Sequence, residues 1–192
     1  MSNARALTHR LSVIMTTQRG RRTDPIDPSL RPFLIGEVFR FIDAIRSIAG
    51  IDKIALVGSL TTDKPDPKGV DILVTVADDL DLTALATESR RLKGRAQTRN
   101  RGADIFLANL SGQYMGRICH WRECAPNIRL SCDAQHCGRR QYLHDDLDAV
   151  TLSNQLVAKP PILVWPRVEC STRVAADLMP YLSRLQSGAV ST

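Results

Sequence analysis

Residues 54–74 constrain this chain more than any other stretch. Ile54–Val57 is a short apolar run that leads directly into Gly58-Ser59; after a gap of eleven residues, Asp71 opens a second run, Ile72–Val74. Both runs are bounded by turn-forming residues and rich in aliphatic side chains, which predicts strands over 53–57 and 70–76. Successive positions in each are apolar, so the sheet is expected to be covered on both sides. Gly58-Ser59 at the first strand's end offers backbone N–H groups and a hydroxyl, near a carboxylate able to hold a metal ion. A simple turn closing a strand is the plainer reading of the same dipeptide.

Around that centre, 192 residues suffice for one domain with a core and a small appendage. Residues 1–32 carry Arg19, Arg21 and Arg22 with Pro25, Pro28 and Pro32, and read as a flexible basic arm. Leu34, Val38, Phe41, Ile42, Ile45 and Ile48 recur at helical spacing, predicting a helix over 33–49 that Gly50 ends. A second helix is expected over 81–92, started by Asp81 or Thr83, and a third strand over 103–108. These elements define a core at 33–115. Residues 116–140 form a Cys-rich loop without periodicity, and 141–192 form an extension that packs on the core. Within the extension, 143–156 is read as including a short helix, 159–166 as extended, and 172–185 as a helix that Pro180 interrupts or kinks.

Gly58-Ser59, Asp71 on one strand and Asp104 on a later one resemble the nucleotidyltransferase fold, the polymerase-β-like superfamily. The resemblance covers roughly residues 35–108. It implies an α/β protein with a small mixed sheet flanked by helices. It also implies a Gly58-Ser59 turn that binds phosphates of a nucleoside triphosphate such as ATP, and Asp71 and Asp104 as catalytic ligands of Mg²⁺. In that family two acids spaced i, i+2 on one strand join a third on another, because alternate strand residues share a face and their carboxylates can share metal ions. Here one acid is missing. If Asp71 is the second of the pair, Gly69 stands in the first position; if it is the first, Leu73 stands in the second. Asp63 or Asp66, in the intervening loop, is a further candidate oxygen donor.

Cys119-x4-Cys124 and Cys132-x4-Cys137 lie within nineteen residues and have the look of two arms of a tetrahedral structural Zn²⁺ site, with His136 as an alternative ligand. Small buried thiols, or redox chemistry, are the rival readings. Clustered cysteines suit a reducing cytoplasm better than a disulfide framework. The start, 1–15, has no sustained apolar stretch and is not read as a signal peptide; no run of ~18 apolar residues predicts a membrane span. His144, Asp145 and Asp146 read as an acidic helix start.

The net charge of +6 favours anionic partners, and an aromatic fraction of only 5% leaves little for base stacking. Arg90, Arg91, Lys93, Arg95, Arg99 and Arg101 are either a solvated face or a surface for phosphates. The expectation is nucleotidyl transfer to a protein, RNA or small-molecule acceptor. The alternative is a catalytically degenerate module that binds nucleic acid or a protein partner.

Overall fold

A computed structural model describes residues 27–122, 140–144, 147 and 150–188. In chain order it contains α1 (Leu30–Ile45), β1 (Ile51–Val57), a 3₁₀ turn over Gly58–Thr61, β2 (Gly69–Val76), α2 (Thr83–Gln97), β3 (Gly102–Asn109), β4 (Tyr114–Ile118) and β5 (Leu143–His144). There follow α3 (Asn154–Ala158), β6 (Ile162–Trp165), β7 (Glu169–Cys170), a second 3₁₀ turn over Ala176–Leu178, and α4 (Met179–Gly188).

The strands form one mixed sheet in the order β5-β4-β3-β2-β1-β6-β7. β2 and β3 are parallel, joined by the α2 crossover that a parallel pair requires; the other neighbours are antiparallel. Strand alternation sends Ile54 and Leu56, Val70, Ile72, Val74 and Val76, and Ile105 and Leu107 into one large core with α1, α2 and α4. Ala55, Val57, Leu73, Phe106 and Ala108 face the other way, against Val157 of α3 and the chain leading into it. Both faces are therefore covered, but unequally: among the described residues, three helices lie on one and a single short helix on the other.

Several boundaries differ from expectation for local reasons. α1 starts at Leu30, inside the stretch read as an arm, because Pro32 falls in the first turn, where no intrahelical N–H bond is lost. α1 stops at Ile45, and Gly50 takes a φ of 92° just before β1. α2 runs past Leu92 to Gln97, burying Ala96. β4 was hidden in a stretch without alternation; it pairs with β3 and bends at Gly116, whose φ is 130°. β6 lies inside the sheet, since Pro161 and Pro166 flank it and cost its ladder no donor. Pro180 stands second in α4, so it helps to begin that helix and does not kink it.

Arg31 ties three of these parts together. Its guanidinium donates to Asp177 Oδ2 at 2.6 Å and Oδ1 at 3.0 Å, to the Lys64 carbonyl at 3.0 Å and to the Leu60 carbonyl at 3.1 Å. The side chain is only 9% exposed. One cation thus holds α1, the loop that follows the Gly58 turn, and the lead-in to α4. Arg31→Ala is expected to lower stability by about 2–4 kcal/mol, because buried carbonyls and a carboxylate lose their donor. Arg40→Ala, which removes an exposed partner of Glu37, should cost less than about 1 kcal/mol. Urea unfolding of both variants checks the contrast.

Candidate functional site

The strand registers bring the sequence-predicted acids together. Val57 pairs with Asp71 across β1 and β2, and Asp71 pairs with Asp104 across β2 and β3. Paired residues of neighbouring strands share a face, so both carboxylates stand on the sparsely covered side of the sheet. The Gly58–Thr61 turn begins one residue after Val57 and folds over Asp71. A Cβ on Gly58 would lie 2.0 Å from Asp71 Oδ2 and 2.8 Å from its Cγ, and Gly58 has a φ of 70°. Both the backbone conformation and the space demand glycine there. The turn is braced by its own threonines: Thr61 Oγ1 donates to the Gly58 carbonyl and Thr62 Oγ1 to the Ser59 carbonyl, each at 2.8 Å.

Burial pushes the Asp71 carboxyl up to about 6, and the neighbouring Asp104 charge adds to the rise. Asp104 has its own counter-ion, Arg117 on β4, at 3.4 Å. Two carboxylates side by side, one of them resisting ionisation, form a hard oxygen-donor pair suited to one divalent cation.

Neither position on β2 favours a second acid: Gly69 for want of space, and Leu73 because a carboxylate there would be stripped of water. A Cβ at Gly69 would meet the Gly102 carbonyl oxygen at 2.9 Å, a backbone contact that cannot swing aside. Leu73 is 2% exposed within the smaller apolar cluster. Asp66 is engaged by Arg101 at 2.6 Å, and Asp63 faces Arg173 at 3.9 Å.

Comparisons with protein-family models, curated proteins and solved structures found no match.

Of the cysteine cluster, Cys119 is described: it is buried just past β4, and its N–H donates to the Tyr142 carbonyl at 2.7 Å. Cys124, Cys132, Cys137 and His136, like Asp145 and Asp146, lie outside the described residues. Among the described residues no group of three or more His, Cys, Asp or Glu could hold a metal ion. None of the described helices is long and apolar enough to cross a membrane.

The basic cluster divides in two. Arg95 pairs with Glu37, Arg99 with Asp27, Arg101 with Asp66 and Arg91 with Glu88. Arg90 and Lys93 form no ion pair with any described carboxylate, and they line a cavity of about 510 Å³ together with Asp104, Arg117 and His120. Burial drives the His120 imidazole down to about 4, with Lys93 adding to the effect, and among the described residues neither ring nitrogen has a hydrogen-bond partner. This cavity escaped the sequence reading. Its one legible trace is that Arg90, Lys93, Gly94 and Gln97 follow one another at helical spacing.

Asp71 and His120 pull stability in opposite directions. The folded Asp71 carboxyl holds its proton more tightly than a free carboxyl of pKa 3.8, so its contribution is full below pH 4 and fades as pH rises through about 6. His120 is depressed from 6.5 to about 4, so its contribution is present above pH 6.5 and fades as pH falls towards 4. Asp71→Asn should therefore raise Tm at pH 7.5 by roughly 2–4 °C, the shift for about 1 kcal/mol once partial exposure is discounted. The same variant should lose stability more steeply than the parent between pH 6.5 and 4. Thermal melts across that range check both signs.

Proposed function

We propose that the Asp71–Asp104 pair and the Gly58-Ser59 turn form a one-cation nucleoside triphosphate site of the nucleotidyltransferase type. The observation that carries this reading is the register that sets Asp71 between the Gly58 turn and Asp104, with its carboxyl pKa raised by burial and then by that neighbour. Asp71 and Asp104 would hold one Mg²⁺, while the Gly58 backbone and the Ser59 hydroxyl meet phosphate oxygens. Bound there, the ion would neutralise phosphate charge and polarise the phosphorus centre. Arg117, beside Asp104, would hold that carboxylate in place and offer its other donors to an anion. The positive net charge of the chain favours such a ligand. Transfer of the nucleotidyl group to a protein, RNA or small-molecule acceptor is the activity this site would serve.

The second reading, binding without turnover, is favoured by the two closed positions at Gly69 and Leu73, which limit β2 to one carboxylate. Calorimetry tests what the two readings share, cation-dependent binding of the triphosphate. MgATP should bind at least about tenfold tighter than ATP in EDTA, and Asp71→Ala should erase that ratio. Equal binding with and without Mg²⁺ would overturn the cation site. Label transferred from radiolabelled ATP, CTP, GTP or UTP to extract, dependent on Asp71, marks the enzyme; metal-dependent binding without transfer marks the silent module.

For the Cys-rich segment we infer a structural Zn²⁺ held by Cys119, Cys124, Cys132 and Cys137, or with His136 in place of one thiolate. The supporting observation is that the segment's ends are pinned side by side: Cys119 to Tyr142 through the backbone, and Arg140 to the Ala77 and Leu80 carbonyls at 3.0 and 2.7 Å. A loop of this length closed at its base gains order from an ion. Metal analysis should find one zinc per chain, lost with a fall in Tm in Cys124→Ser. Zinc-free protein of unchanged stability would contradict the assignment.

A further inference from the structure

The cavity between α2 and β4 has the features of a binding site in its own right. Its volume of about 510 Å³ lies within the usual range for small-molecule pockets, ~300–1,000 Å³. Among the described residues, three cations, Arg90, Lys93 and Arg117, line it with one carboxylate, Asp104, and of the three Arg117 pairs with it. Like charges gathered in this way repel one another, and an anion between them relieves that repulsion.

Arg90 is already set in position. Its Nη2 donates to Thr87 Oγ1 at 2.9 Å and its Nη1 to the Trp121 carbonyl at 3.3 Å, and its guanidinium carbon lies 5.6 Å from the Tyr142 ring centroid. Such preorganisation lowers the entropy lost on binding. His120 brings to the same wall two buried ring nitrogens that have no partner among the described residues, polar groups that a ligand's donors or acceptors would satisfy.

Two further lining residues say what the rest of the ligand is. Trp121, 48% exposed, gives the cavity an aromatic face in a chain that has few. Gly94 stands inside α2, where glycine is the least favoured residue apart from proline. A Cβ there would meet no atom within 4 Å, so no packing demand explains the glycine; it keeps a stretch of cavity wall clear. We propose that this cavity is a metal-independent mononucleotide site, with the phosphate between Arg90, Lys93 and Arg117 and the base against Trp121. The proposal rests on other observations than the cation site, although Asp104 and Arg117 border both.

The chain has two tryptophans, so Trp165→Phe leaves Trp121 as the sole reporter. In that background, at pH 7 with EDTA, AMP should change the emission saturably with a Kd of about 1 mM or tighter. Adenosine and inorganic phosphate should each bind at least about tenfold more weakly, because each supplies half of the contacts. Lys93→Glu should weaken AMP binding by about tenfold or more. Gly94→Leu should abolish it while Tm stays level or rises, since leucine is a good helix former and meets open space. Asp71→Asn should leave it unchanged, which separates this site from the proposed cation site. No saturable response to AMP, an unchanged affinity in Gly94→Leu, or phosphate binding as tightly as AMP would each overturn the proposal.

Discussion

Everything at the candidate site depends on the parallel, in-register pairing of β2 with β3. That pairing runs from Gly69 opposite Gly102 to Val76 opposite Asn109 without a break, and it sets Asp71 beside Asp104. A slip of one residue would send one carboxylate into the apolar core and bring Ile72 or Ile105 to the site. The slip is opposed on the helix-covered face, where Val70, Ile72, Val74, Ala103, Ile105 and Leu107 are each 1% exposed or less. The register that places two like charges together is thus fixed by apolar packing on the opposite side of the same strands. Gly58 is the second half of that arrangement, since any side chain there would collide with the Asp71 carboxylate.

The sequence made this centre legible because strands announce themselves through unbroken apolar runs and glycines through the turns beside them. The two acids were recognisable on either side of α2, and the structure sets them side by side. The mixed α/β sheet was likewise readable, although β4, β5 and β7 were not. Tyr114–Ile118 and Leu143–His144 lack alternation and become strands because β4 adds to the edge of β3 and β5 in turn adds to β4. The cavity was illegible for a related reason: its walls come from α2, β3 and β4, neighbours in sequence whose side chains meet only once β4 has joined the sheet, and a buried imidazole leaves no trace in composition. Sequence could name six basic residues between 90 and 101 but not sort them, because sorting depends on which carboxylates the fold brings near.

That sorting has a physical consequence. Arg95, Arg99 and Arg101 spend their charge on Glu37, Asp27 and Asp66 and fasten α2 and its following turn to α1 and the loop before β2. Arg90 and Lys93, one helical turn apart, have no such duty among the described residues and remain beside Asp104. The same helix therefore serves the core with one face and the candidate site with another. Asp71 and Asp104 sit at the junction of two environments, a crowded carboxylate pair on one side and a cationic cavity on the other.

A crystal structure with Mn²⁺ and a non-hydrolysable ATP analogue, read through the manganese anomalous signal, tests this most directly. The account predicts a single anomalous peak within bonding distance of Asp71 and Asp104, with phosphate oxygens over the Gly58-Ser59 backbone. A peak elsewhere, or a triphosphate bound away from that turn, would contradict it.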